Sequence, residues 1–205
     1  MKRGLKIVNQ IIRELKSAKT VAIGGHMRPD GDCIGSELAV AYVLKRLGKK
    51  VTVFNQDMMP EKLAFLDPKK ILRTPTKAKH YDCVVVADCA TYERMGTVCK
   101  AISKRKTLIN IDHHGSNSRY GDINWIDSNS ASSGELIFRL IKQANWPITP
   151  GIADCLFTAI STDTGSFQYA TTRPFTYHTA AELITKGANL ARICEEVYQS
   201  YPLSR

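Results

Sequence analysis

Three short apolar runs, residues 21–25, 83–87 and 107–111, each end at a residue that can bind a cation: His26, Asp88 and Asp112. Unbroken apolar runs of this length suit strands buried on both faces of a parallel sheet. Between them, apolar residues recur at helical spacing. Leu5, Ile7, Val8, Ile11, Ile12 and Leu15 mark a first helix, and 34–47 a second, closed by Gly48. Further strands are predicted at 51–54 and 122–126. Further helices are predicted at 133–145 (capped by Ser132 or Ser133), 150–160, 175–186 and 191–199. Residues 57–75 read as loop with a short helix at 62–66. Strands alternating with helices predict an α/β fold: a doubly wound, mainly parallel sheet with helices on both faces. In such sheets ligands bind beyond the carboxyl ends of the strands. Three sets of polar residues at three such ends therefore point to one place.

The first set is the densest. His26-Met27-Arg28-Pro29-Asp30-Gly31-Asp32-Cys33-Ile34-Gly35-Ser36 puts one imidazole and two carboxylates on a strand-to-helix loop. That donor mixture suits a divalent transition metal. Asp-Gly is also an ordinary turn signal, and either aspartate could cap the helix. A calcium loop fails, because its fifth and twelfth positions would be Ile34 and Ala41. Asp88, alone, reads as a cap or a satisfied core carboxylate. Asp112-His113-His114 is harder to explain so, since paired imidazoles after a buried strand are costly to desolvate unless bonded or metal-bound. Asp163 lies in a Thr/Ser/Gly-rich turn, and His80 and His178 read as surface residues.

The chain of 205 residues is long enough for one generous domain, and 43% apolar residues can fill its core. A net charge of +10 fits solvated lysine faces or, more sharply, a polyanionic partner. The six cysteines include no C-x-x-C pair, so reduced thiols in a cytoplasmic protein are expected rather than a zinc ribbon or a disulfide framework. Arg13, Glu14 and Lys16 interrupt the first apolar pattern, which excludes a signal-peptide core, and no run is long enough to span a membrane.

Taken together, H-x-x-P-D-G-D-x-x-G-S at 26–36, Asp88 in Val-Val-Val-Ala-Asp, Asp112-His113-His114, and Asp163 in Ser-Thr-Asp-Thr-Gly-Ser-Phe resemble the four motifs of the DHH phosphoesterase superfamily. Asp-His-His-Gly-Ser-Asn, Gly-Asp-Ile-Asn-Trp-Ile-Asp and Thr-Gly-Ser-Phe-Gln-Tyr most resemble its oligoribonuclease/3′-phosphoadenosine-5′-phosphate phosphatase branch, the NrnA type. RecJ-type exonucleases are more distant. The resemblance implies a site for two divalent ions, most readily Mn2+. His26 and Asp30 would hold one ion, and Asp32, His113 and Asp163 the other. Asp88 would bridge them, His114 would face the phosphate and assist the leaving oxygen, and Asp112 would orient the histidine pair. Two ions roughly 3.5–4 Å apart can share a hydroxide and clamp phosphoryl oxygens for in-line attack. Asn117, Arg119 and Ser133 are weaker candidates for holding phosphate.

The implied activity is hydrolysis of short oligonucleotides or of a nucleoside bisphosphate. Rival readings are a linear-dinucleotide phosphodiesterase, a RecJ-like single-strand exonuclease, a pyrophosphatase, or a non-catalytic nucleotide-binding module. Imidazole ligands must be neutral, so metal affinity is expected to weaken as pH falls through the ordinary histidine range near 6.5. Members of the branch carry a C-terminal substrate-binding domain with a Gly-Gly-Gly-His motif, which does not occur before Arg205. The expected organisation is a catalytic domain over 1–190, with 191–205 forming a last helix and the start of a linker to that domain.

Overall fold

The computed structural model describes residues 2–199. Six strands form one all-parallel sheet: β1 Thr20–Gly24, β2 Lys50–Phe54, β3 Leu72–Arg73, β4 His80–Ala87, β5 Lys104–Asp112 and β6 Ile123–Ile126. Their order is β3-β2-β1-β4-β5-β6. Chain direction across the sheet therefore reverses between β1 and β4, which pair through Val21↔Cys83 to Gly24↔Val86. Such a reversal opens a crevice at the carboxyl ends of the two strands.

Alternation along the strands feeds two cores. Val21, Ile23, Cys83, Val85, Ile109 and Ile111 face a large core shared with helices α1 Lys2–Ser17, α2 Gly31–Arg46, α4 Ser133–Gln143 and α5 Pro150–Asp163. Ala22, Val84, Val86 and Leu108 face a smaller one, closed by a 3-10 turn, Tyr92–Met95, and the four-residue helix α3, Val98–Ala101. Both faces are covered, as expected for a doubly wound sheet, but the second is covered thinly.

The predicted helix at 191–199 is α7 Leu190–Cys194 running into a π-helical turn, Glu195–Gln199. Ile193 and Val197 are buried in the large core, and the Ser161 and Tyr198 hydroxyls lie 2.7 Å apart. The expected start of a linker at 200–205 lies outside the described residues. Helix α6 spans Pro174–Thr185, and a 3-10 helix, Glu61–Leu66, stands between β2 and β3. No helix among the described residues is long and apolar enough to cross a membrane, and none of the six cysteines is in a disulfide.

Three helices meet at small residues, and this brings the acidic side chains together. Gly35 of α2 lies directly on the Cys155 carbonyl and Ala159 of α5, Gly31 lies on Thr162, and Gly134 of α4 lies on Ala159. Without side chains at these glycines, α2 carrying Asp32 and α5 carrying Asp163 approach to backbone contact.

Candidate metal centre

The loop after β1 delivers His26, which is 5% exposed. Its Nδ1 lies 2.8 Å from the Met27 carbonyl, which accepts from it in the matching tautomer. That leaves Nε2 facing Asp88 Oδ2 at 3.4 Å and Asp30 Oδ2 at 3.8 Å. Asp30 has two roles. Its Oδ1 caps α2 by accepting from the Cys33 amide, while its Oδ2 stays near His26.

Asp32 is buried. Its two oxygens accept from the Ser133 and Gly134 amides at the start of α4, at 2.7 and 2.8 Å, and from Ser36 Oγ at 3.2 Å. Amides at a helix start favour a carboxylate there. Even so, burial, and then the charges of Asp88 and Asp163, push the Asp32 carboxyl well above the usual range.

Asp88, at the end of β4, sits in the left-handed region with φ 54°, a conformation aspartate tolerates better than most residues. Its amide donates to the Ile111 carbonyl of β5 and its Oδ1 accepts from Ser133 Oγ at 3.0 Å. The carboxylate is thereby aimed into the crevice. It faces His26 through one oxygen, and His113 at 3.7 Å and His114 at 3.6 Å through the other.

His113 Nε2 is 3.3 Å from Asp163 Oδ2, 3.7 Å from Asp88 Oδ1 and 3.9 Å from Asp32 Oδ2. It is buried and has no hydrogen-bond partner. A ring nitrogen aimed without a bond at three carboxylates is what a cation between them would explain. Burial, outweighing His113, raises Asp163 to about 6. Three overlapping ligand sets follow: Asp32, His113 and Asp163; Asp88, His113 and His114; and His26, Cys33 and Asp88. Apart from the Cys33 sulfur, every donor is imidazole nitrogen or carboxylate oxygen, a mixture that fits a divalent transition metal.

Residues 20–160 match the DHH family, N-terminal domain. The chain belongs to the DHH family. It is 30% identical to the bifunctional oligoribonuclease and PAP phosphatase NrnA of Thermus thermophilus, over 94% of this chain and 57% of that protein. An exopolyphosphatase-related protein of Bacteroides fragilis superposes with a TM-score of 0.89 at 25% identity, over 97% of this chain and 62% of that one. RecJ of Thermus thermophilus, in complex with Mn2+, shares the fold at a TM-score of 0.52 and 16% identity, over 95% of this chain and 28% of that one. The DHH chain spans 57–61% of the length of the curated relatives it matches.

Several residues singled out in the sequence make contacts other than those expected of them. Ser133 was expected to hold phosphate, but its hydroxyl is fully buried and spent on Asp88. Asn117 also turns inward, donating to Asp112 Oδ2 at 2.6 Å, Asn110 Oδ1 at 2.8 Å and the Cys89 carbonyl at 3.1 Å. Arg119 is exposed and lines a groove of about 970 Å³ beside β6, whose lining includes none of the clustered aspartates and histidines. Asp112 was expected to orient both histidines. Its Oδ1 holds His114 Nδ1 at 2.8 Å and its Oδ2 accepts from Asn117 at 2.6 Å.

Sequence reasoning missed four contributors. Ser36 and Gly134 hold Asp32, and Asn110 of β5 ties β4 and the loop after it by donating to the Val86 and Cys89 carbonyls. Cys33, read only as a buried thiol, has its sulfur within 4.8 Å of ligand atoms of His26 and Asp88. The last was visible in the motif, between Asp32 and Ile34, but a buried thiol is unremarkable by residue type alone.

The carboxylates also move the expected pH dependence. Burial depresses the His26 imidazolium, but the carboxylates of Asp30 and Asp88 facing its Nε2 outweigh it and raise His26 to about 10. In the metal-free protein His26 therefore keeps its proton at neutral pH, and a cation must expel it. Manganese affinity is expected to rise with pH well beyond the ordinary histidine range, up to about 10, with roughly one proton released per chain from His26 at pH 7.5. Calorimetry in buffers of different ionisation enthalpy measures that release. Affinity unchanged between about pH 7 and 9, with no proton released, would contradict the assignment.

Proposed function

We propose that the chain is a metal-dependent phosphoesterase domain that hydrolyses short oligonucleotides or a nucleoside bisphosphate with two divalent ions, Mn2+ being the best fit. The partnerless His113 Nε2 among Asp32, Asp88 and Asp163 carries this reading. His26 and Asp30 would hold one ion, Asp32, His113 and Asp163 the other, and Asp88 would serve both. When bound, such a pair supplies an activated water and charge neutralisation for the phosphoryl group.

The protein's own groups do the rest. His114 is the half-exposed member of the pair. With Nδ1 donating to Asp112, its Nε2 is presented to the crevice. The bond to Asp112, with Asp88 nearby, raises the His114 pKa against the opposing effect of burial, so more of the imidazolium persists at neutral pH to donate a proton to a leaving oxygen. Asn117 holds the other oxygen of Asp112, keeping that orientation fixed. The curated NrnA relatives supply the substrate class, and the basic net charge suits a polyanion.

Turnover assays with manganese on dinucleotides, longer RNA, single-stranded DNA and 3′-phosphoadenosine 5′-phosphate test the reading. No turnover of any of them by the metal-loaded chain would contradict it. The paired histidines should separate. His113→Ala is expected to lower metal content, whereas His114→Ala should keep metal and lose rate by about 10²–10⁴-fold. Elemental analysis showing the reverse pattern exchanges their roles.

A further inference from the structure

The chain after Asp163 adopts an unusual backbone. Gly165, Ser166 and Phe167 are three consecutive residues in the left-handed region, with φ of 55°, 58° and 66°. Glycine takes this conformation freely, but serine and phenylalanine do so against their Cβ atoms. The turn is held by bonds from Ser166 N to the Ser161 carbonyl at 2.7 Å and from Phe167 N to Thr164 Oγ1 at 3.0 Å. The Phe167 ring anchors it further, between Phe157 and a stacked Tyr177 with centroids 5.7 and 5.6 Å away. The backbone then returns so that the Tyr169 amide donates to the Thr164 carbonyl at 3.0 Å.

This places the Tyr169 ring against the α-carbon of Gly165, where any side chain would overlap it. Glycine is thus required there twice, for its φ and for the ring. Tyr169 nevertheless remains 60% exposed. A single exposed aromatic is ordinary on a protein surface. One carried on a strained, well-bonded turn two residues after Asp163 is not, because such strain collects at functional sites. Gly165 is two residues from Asp163, so at most about 7 Å separate their α-carbons. The ring lies on Gly165, so it sits against a residue only two positions from Asp163 of the acidic cluster.

We propose that Tyr169 is a stacking platform for a nucleobase of the substrate whose phosphate occupies the neighbouring metal centre. This rests on the phosphoesterase reading for the position of the phosphate. Stacking on an aromatic face tolerates any base, which suits a substrate class defined by length rather than sequence. Specificity for nucleotides over bare phosphate esters would then reside partly on this domain.

The test is equilibrium binding to the manganese-loaded chain, using adenosine 5′-monophosphate and ribose 5-phosphate as probes with and without a base. Tyr169→Ala is expected to weaken binding of the adenosine probe by about 5- to 150-fold, the range of one base–aromatic stack. Ribose 5-phosphate should bind the variant as it binds the wild type, and Tyr169→Phe should restore adenosine binding. Manganese stoichiometry, read by elemental analysis, should be unchanged in both variants. Undiminished adenosine binding by Tyr169→Ala, equal losses on both probes, or a wild type that does not prefer the adenosine probe would each overturn the platform. Dinucleotide hydrolysis by the wild type is measured separately. A chain that shows the stacking effect without hydrolysis would overturn the phosphoesterase reading and leave the platform standing.

Discussion

Asp88→Asn is expected to abolish turnover almost completely while the fold survives. The two side chains have the same shape, so the left-handed backbone and the bond from Ser133 Oγ can persist. What disappears is the negative charge that His26, His113 and His114 face at 3.4, 3.7 and 3.6 Å. By the proposed assignment Asp88 is the one residue serving both ions, so a single substitution weakens both sites. Loss of a partner outside the ligand sphere costs about 10–100-fold in metal affinity, and a direct ligand should cost more. Turnover should fall by about 10⁴-fold or more, as when one member of an interdependent catalytic unit is removed. Elemental analysis, a dinucleotide assay and circular dichroism together check this. Near-normal metal content and rate in a folded variant would remove Asp88 from the bridging position.

The second large effect is on stability. Gly35→Ala adds one methyl where α2 rests on the backbone of α5, at the Cys155 carbonyl and within 2.9 Å of the Ala159 methyl. Backbone cannot rotate away, so the helices must separate. Overpacking of this kind costs about 1–3 kcal/mol, and contact with backbone places Gly35→Ala at or above the upper end. For a domain of this size, about 3 kcal/mol lowers Tm by roughly 6–12 °C. Metal affinity should fall with it, because α2 carries Asp32 and α5 carries Asp163. Thermal unfolding and manganese titration measure the two effects, and a variant with wild-type Tm would contradict the close approach.

The sheet was legible where burial on both faces left an unmistakable pattern. β1, β4 and β5 appear in the sequence as apolar runs because neither face admits water. β3 was not legible, since two residues, Leu72 and Arg73, carry no periodicity, and four-residue α3 was hidden for the same reason. Strand order is also silent in a local pattern. That β1 and β4 are neighbours, and so bring His26 to Asp88, emerges only from the pairing.

The residues that cluster were readable as types only together, since each aspartate alone could be a cap or a turn residue, and three such sets at three strand ends pointed to one place. Direction was not readable. Ser133 and Asn117 have the chemistry to hold phosphate, yet both point into the protein, where unpaired carboxylates would otherwise be costly. The His26 pKa could not be placed either, because it depends on how closely Asp30 and Asp88 approach in three dimensions.

The central claim is a two-ion centre at the crevice between β1 and β4. Its most direct test is the manganese stoichiometry of the purified chain after equilibrium dialysis, read by elemental analysis. Two ions per chain are expected, falling in Asp88→Asn; none or one in the folded wild type would contradict it.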